Sequence, residues 1–116
     1  MLNRETLEEI LSQVRKPARY IGNEWNAVKK DLTKASVKFA LSFPDLYEIG
    51  MSHLGYKLIY HLLNEREDTA CERVFMPDVD LLEILKIRDI PLFSLESKEE
   101  LRKFDILGFT LAYELA

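Results

Sequence analysis

Cysteine is nearly missing from this chain. Cys71 stands alone among 116 residues, so there is no internal disulfide and no cysteine-built metal cluster. Histidine is almost as scarce. His53 and His61 sit on one expected helix, roughly 12 Å apart at about 1.5 Å per residue, too far to share an ion. Each reads as a surface or half-buried helix residue. No Gly-x-Gly-x-x-Gly occurs, so nothing supports a dinucleotide. No apolar run reaches membrane-spanning length. The N-terminus, Met1-Leu2-Asn3-Arg4-Glu5, has no signal-peptide core. An excess of positive charge is missing too. Sixteen basic against 20 acidic residues leave a net charge of −4, which is no footprint for nucleic acid. The cytoplasm is the default compartment, and the length allows one domain at most.

What is present is enough apolar material for a core, 47% of the residues. Asn3 can cap a first helix in which Leu7, Ile10, Leu11 and Val14 recur at helical spacing, and Pro17 ends it. The stretch from Ala18 to Asp31 has no clean period. It reads as an arm packed on through Tyr20, Ile21, Trp25 and Val28, so residues 1–33 form an N-terminal helix and arm. From residue 34 to 116 a βα rhythm runs. Strands are expected at 37–43, 71–75, 91–93 and 105–110. A helix over 52–64 starts at Ser52 as its cap and turns Leu54, Leu58, Ile59 and Leu62 inward. A second helix over 78–88 starts at Asp78 and turns Val79, Leu82 and Leu85 inward, with Lys86 and Arg88 at its negative end. Ser97 can cap one further turn. Cys71, on a buried strand, reads as a small hydrophobe. The pattern implies a parallel α/β sheet with helices on both faces. The apolar ending from Ile106 to Ala116 has no closing signal, and a doubly wound domain usually has five strands. The expectation is a fragment of a longer protein, the alternative being a four-stranded domain with a partner over that edge.

The most informative stretch is Val37–Leu63, in which a buried strand runs into a polar turn and the turn opens a helix. Ligands of open α/β sheets bind at carboxyl ends of strands, where helix N-termini face anionic groups. A site is therefore expected in the crevice between Asp45–His53 and Thr110. Each residue also has a plainer role. Asp45 can form a turn, and Gly50 can supply backbone freedom or close approach. Ser52 can be a helix cap, Tyr47 a wall or a core residue, and Thr110 a β-branched strand residue.

Five blocks in order carry a resemblance: Lys16-Pro-Ala-Arg-Tyr-Ile-Gly-Asn-Glu-Trp-Asn26, Phe43-Pro-Asp-Leu-Tyr-Glu-Ile-Gly-Met-Ser-His-Leu-Gly55, Glu72-Arg-Val-Phe75, Pro91-Leu-Phe-Ser-Leu-Glu-Ser97 and Asp105-Ile-Leu-Gly-Phe-Thr-Leu-Ala-Tyr-Glu-Leu115. Together they resemble the amino-terminal region of cobalamin-binding-domain radical SAM proteins of unassigned reaction. The resemblance implies a Rossmann-like, flavodoxin-like cobalamin-binding fold, here cut to about four strands. It implies cobalamin as the cofactor of this domain. In the missing C-terminal radical SAM barrel, the partner of this domain, it implies a 4Fe-4S cluster and S-adenosylmethionine. The Cys-x3-Cys-x2-Cys motif of that barrel is not in this chain, so the fragment alone is not expected to be catalytic. Related cobalamin domains carry Asp-x-His-x-x-Gly after the first strand, the histidine being the lower cobalt ligand. The matching place reads Asp45-Leu-Tyr47-Glu-Ile-Gly50, with tyrosine for histidine. A phenol, with an ordinary pKa of about 10, is a poor ligand beside imidazole. Gly108-Phe-Thr110 is similar to a later serine motif of those domains. Two readings follow. Either a corrinoid lies against Tyr47 with no protein nitrogen at that position, and Asp45, Gly50, Ser52, His53 and Thr110 line the crevice, or the domain is a cofactor-free Rossmann-like scaffold or interaction domain.

Overall fold

The computed structural model describes residues 2–22, 27–51 and 53–110, so Ser52 and Trp25 lie outside the described residues. Helix α1 is Arg4–Leu11, β1 is Val37–Phe43, α2 is Tyr47–Met51, α3 is Leu54–Glu65, β2 is Thr69–Phe75, α4 is Val79–Ile87 and β3 is Ile106–Phe109. Asn3 caps α1 as expected, its side chain accepting from the Thr6 N–H at 2.7 Å. β1 pairs in parallel with β2 from Val37–Thr69 to Phe43–Phe75. On its other side it pairs in parallel with β3 from Phe39–Ile106 to Ser42–Phe109. The sheet order is β2-β1-β3. The architecture is α/β and Rossmann-like, with three described strands where four were expected.

The missing strand is the one expected at residues 91–93. Phe93 makes a single antiparallel bridge to Glu100 instead. The reason lies on the outer edge of β2, where side chains have taken the places a ladder would fill. Lys30 Nζ donates to the Thr69 carbonyl at 2.8 Å. The Asn64 amide donates to the Cys71 carbonyl at 3.0 Å and accepts from the Cys71 N–H at 2.9 Å. The Arg73 N–H donates to Glu96 Oε1 at 2.9 Å, and the Leu95 N–H donates to the Arg73 carbonyl at 2.8 Å. An edge satisfied in this way offers no template for a further strand. Pro91 has no N–H to contribute to one.

Helix α3 packs on the sheet face carrying Leu41, Phe43 and Cys71, but not through the expected residues. Tyr56 and Tyr60 are buried there, whereas Leu54, Leu58 and Leu62 are 77, 58 and 54% exposed and Ile59 is exposed as well. The tyrosines win the inward face because each finds a buried acceptor. Tyr56 Oη donates to the Leu41 carbonyl at 2.6 Å, and Tyr60 Oη donates to Glu96 Oε2 at 2.6 Å. Burial pushes both phenols above their ordinary range, so they stay protonated donors. The cap of α3 is His53, whose Nδ1 accepts from the Tyr56 N–H at 3.1 Å.

Asp78 caps α4 as expected, with Oδ1 accepting from the Val79 N–H at 2.7 Å. The inward residues are Leu81 and Leu85, which share a second core with Ile10, Val14, Tyr20 and Phe93. Val79 is exposed and Leu82 only half-buried. The phase of α4 follows from this core, whose other members come from elsewhere in the chain and are not encoded in the pattern of α4 itself. Ser97 is not a cap either. Its hydroxyl and N–H both donate to Glu72 Oε1, at 2.7 and 3.0 Å, and the next helical turn begins at Leu101. β3 leaves Ile106, Leu107 and Phe109 exposed. Cys71 is the buried small hydrophobe expected, and burial pushes its thiol up to about 12. A thiol-specific disulfide reagent at pH 8 is expected to label Cys71 only after denaturant is added. Rapid labelling of the native protein contradicts that burial.

Candidate functional site

The strand order places the switch point of the fold between β1 and β3. From β1 the chain goes out to β2 on one side, then returns to β3 on the other. Crevices form at the carboxyl ends of such strand pairs, because the two connections leave in opposite directions. The segment after β1 and the end of β3 both lie at this edge. The Thr110 N–H donates to the Ser42 carbonyl at 2.9 Å, carrying the β1–β3 pairing one residue further.

Asp45 does the work of a turn-former. Its N–H donates to the Phe43 carbonyl at 2.7 Å, and its Oδ1 accepts from the Leu46 N–H at 2.7 Å. Its carbonyl accepts from the Met76 N–H at 2.9 Å, tying the segment to the end of β2. Tyr47 opens α2 and is half-buried, its ring edge-on to Phe75 with centroids 5.4 Å apart. Gly50 lies within α2. Met51 Sδ accepts from Arg73 Nη1 at 3.3 Å. The His53 ring is tilted against Phe43 at 5.3 Å, and its capping role occupies Nδ1. Asp45, Tyr47, Gly50 and His53 thus come from one continuous segment, and Thr110 joins them at the same sheet edge through β1.

Two groups that the sequence reading passed over hold this segment from behind. Arg19 Nε donates to Glu48 Oε1 at 2.6 Å, and its Nη1 donates to Asp78 Oδ2 at 2.7 Å. The guanidinium holds both carboxyls below their ordinary range, and the two carboxylates push Arg19 above its own. Below β2, Arg73 Nε donates to Glu96 Oε2 at 2.7 Å, with the guanidinium 5.0 Å over the Tyr60 ring. Burial pushes the Glu96 carboxyl up while Arg73 and Tyr60 pull it down. A signal for the second pair was available. Glu72 and Arg73 interrupt an otherwise apolar strand, and charges in a buried strand need partners.

Chemically, the described residues of this segment and of the end of β3 offer a phenol, an imidazole, a carboxylate, the Thr110 hydroxyl and backbone groups at one sheet edge. Among the described residues no group of three or more His, Cys, Asp or Glu is arranged to hold a metal ion. No helix among them is long and apolar enough to cross a membrane.

No curated protein matches the chain, and no solved structure does. Residues 55–116 match the family of radical SAM proteins, N-terminal. The matched stretch runs from the first turn of α3 through β2, α4 and β3, and of the candidate site residues it includes Thr110. The match takes in more than half of the residues, and the chain belongs to the N-terminal family of radical SAM proteins.

Proposed function

We propose that this region is the corrinoid-binding domain of a cytoplasmic radical SAM enzyme, a fragment that works with the radical SAM domain of the same parent. Radical SAM chemistry uses S-adenosylmethionine on a 4Fe-4S cluster held by three cysteines. The single buried Cys71 cannot supply that set, so cluster and S-adenosylmethionine belong to the partner domain. The observation that carries the corrinoid reading is the switch point. The β2-β1-β3 order supports a ligand crevice at the segment bearing Asp45, Tyr47, Gly50 and His53, beside Thr110.

The residues fit a corrinoid held without a protein nitrogen at position 47. Tyr47 is half-buried with its ring against Phe75, and His53 already spends Nδ1 on the α3 cap. In this reading Tyr47 faces the lower side of the macrocycle, and the Asp45 turn and Gly50 set how closely the backbone approaches. A bound corrinoid would supply a cobalt centre that carries carbon groups. The second reading, a cofactor-free scaffold for the same parent, is favoured by the same packing. Tyr47 on Phe75 and His53 on Phe43 are contacts the fold uses by itself.

Titration of the intact, cluster-loaded protein with hydroxocobalamin, followed by absorbance, separates the two. Uptake is expected, with no spectral sign of a nitrogen ligand from position 47. Tyr47→His is then expected to shift the spectrum, and Asp45→Ala to weaken binding by about tenfold, a loss of the size seen when a residue that orients metal ligands is removed, because the turn loses its side-chain bond to the Leu46 N–H. Folded protein that takes up no corrinoid leaves the scaffold reading.

A further inference from the structure

The helix that carries Tyr47 is too short to stand by itself. α2 has five residues, and an isolated helix of that length is unstable in water. It is held by tethers: the Asp45 carbonyl on Met76, the Tyr47 ring on Phe75 and Met51 on Arg73. These three run to β2 or to the residue just after it. A fourth comes from a different part of the chain, the N-terminal arm. The Arg19 side chain is 10% exposed and reaches Glu48 on α2 and Asp78 at the cap of α4 at the same time. The adjacent Tyr20 Oη accepts from the Asp78 N–H at 3.1 Å, which fixes the arm on the same cap. Asp78 is itself anchored, because its other oxygen holds the Val79 N–H.

We infer that Arg19 is the positioning residue of the candidate site. Its planar fork takes one carboxylate from α2, after β1, and one from the cap of α4, after β2. It thereby sets how far the Tyr47-bearing helix stands from the end of β2. A lysine, a single point charge on a flexible stem, cannot span two carboxylates with the same geometry. Glu48 is half-exposed, so its pairing with Arg19 is partly screened by water. Releasing it therefore loosens α2 locally and leaves the core intact. This makes the arm part of the site. Its consequence for cofactor affinity rests on the corrinoid reading, whereas its effect on α2 does not.

Hydrogen exchange followed by mass spectrometry on the intact protein tests this, comparing Arg19→Gln, Arg19→Lys and Glu48→Gln with the wild type. In Arg19→Gln the amides of residues 45–51 are expected to exchange about tenfold faster, as for a segment whose local opening has become easier. Residues 56–63 of α3 and 69–75 of β2 are expected to stay within about twofold. Arg19→Lys should recover part of the protection. Glu48→Gln should reproduce the local effect while keeping the buried arginine paired with Asp78, so it decides the matter if Arg19→Gln fails to fold. Unchanged exchange over 45–51 in Glu48→Gln overturns the inference. So does an equal rise in α3 and β2, which would make Arg19 a general packing residue. Hydroxocobalamin affinity is read in parallel and is expected to fall about tenfold in Arg19→Gln. Wild-type protein that binds none defeats the corrinoid reading, and the exchange data still decide the role of Arg19.

Discussion

Glu96→Ala is expected to destabilise the fold by about 3–5 kcal/mol, the cost of leaving a buried charge without its partner. Domains of this kind are stable by only on the order of 5–15 kcal/mol, so much of the margin would go. The physical reason is the number of groups that meet at this carboxylate. Glu96 takes the Arg73 N–H on one oxygen and both Arg73 Nε and Tyr60 Oη on the other. Removing it takes the buried carboxylate from a guanidinium whose side chain is 3% exposed. The same change takes the acceptor from the Arg73 N–H on the outer edge of β2 and one of the bonds from the Tyr60 hydroxyl. Urea denaturation should show a large fall in midpoint. The double variant Arg73→Met, Glu96→Leu, with two apolar side chains of similar volume, is expected to recover most of the loss. A wild-type midpoint for Glu96→Ala alone would contradict the buried network.

Gly22→Ala is expected to cost about 2–4 kcal/mol, combining a left-handed backbone with an overlap against backbone. Gly22 has φ +71°, and a Cβ there would stand 2.8 Å from the Leu95 carbonyl carbon and 2.9 Å from its Cγ. The close approach has a structural purpose. It brings the Ile21 carbonyl and the Leu95 carbonyl to one buried ammonium, Lys98 Nζ, which donates to both. Leu95 also closes the β2 edge through Arg73. The arm carrying Arg19 is thus locked to the segment just after residues 91–93, where a fourth strand was expected. Thermal unfolding should show the loss directly, and a melting temperature equal to that of the wild type would contradict the close approach.

Local signals predicted local structure well. Asn3 and Asp78 cap helices where the sequence says they should, because a cap is a bond between a side chain and a backbone group two or three residues away or less. β1 spans the expected residues, and β2 and β3 differ from expectation by a residue or two at their ends. The parallel α/β class followed from the alternation of apolar strands and helical runs. The location of the candidate crevice, after β1 and after the last strand, needed only the rule that parallel strands share a carboxyl edge.

Three other features were settled by partners distant in sequence. The inward face of α3 depended on acceptors for Tyr56 and Tyr60 that lie on Leu41 and Glu96. The apolar period of α3 reads equally well with its leucines inside. Residues 91–93 read as a strand, yet the residues just after them, Leu95 and Glu96, cap β2 from the side, because Glu96 supplies the counter-charge that the buried Arg73 needs. The positioning of Tyr47 depended on Arg19, a residue in an arm with no period of its own, whose two carboxylates stand 29 and 59 residues further along the chain. By itself the sequence determined the caps at Asn3 and Asp78, three of the four expected strands, the parallel class and the carboxyl edge shared by the candidate segments, all of which rest on contacts within one or two elements. Only the tertiary structure decided which helix face is buried, where the sheet stops and what holds the Tyr47 segment, because buried charges and hydroxyls choose partners by proximity in space.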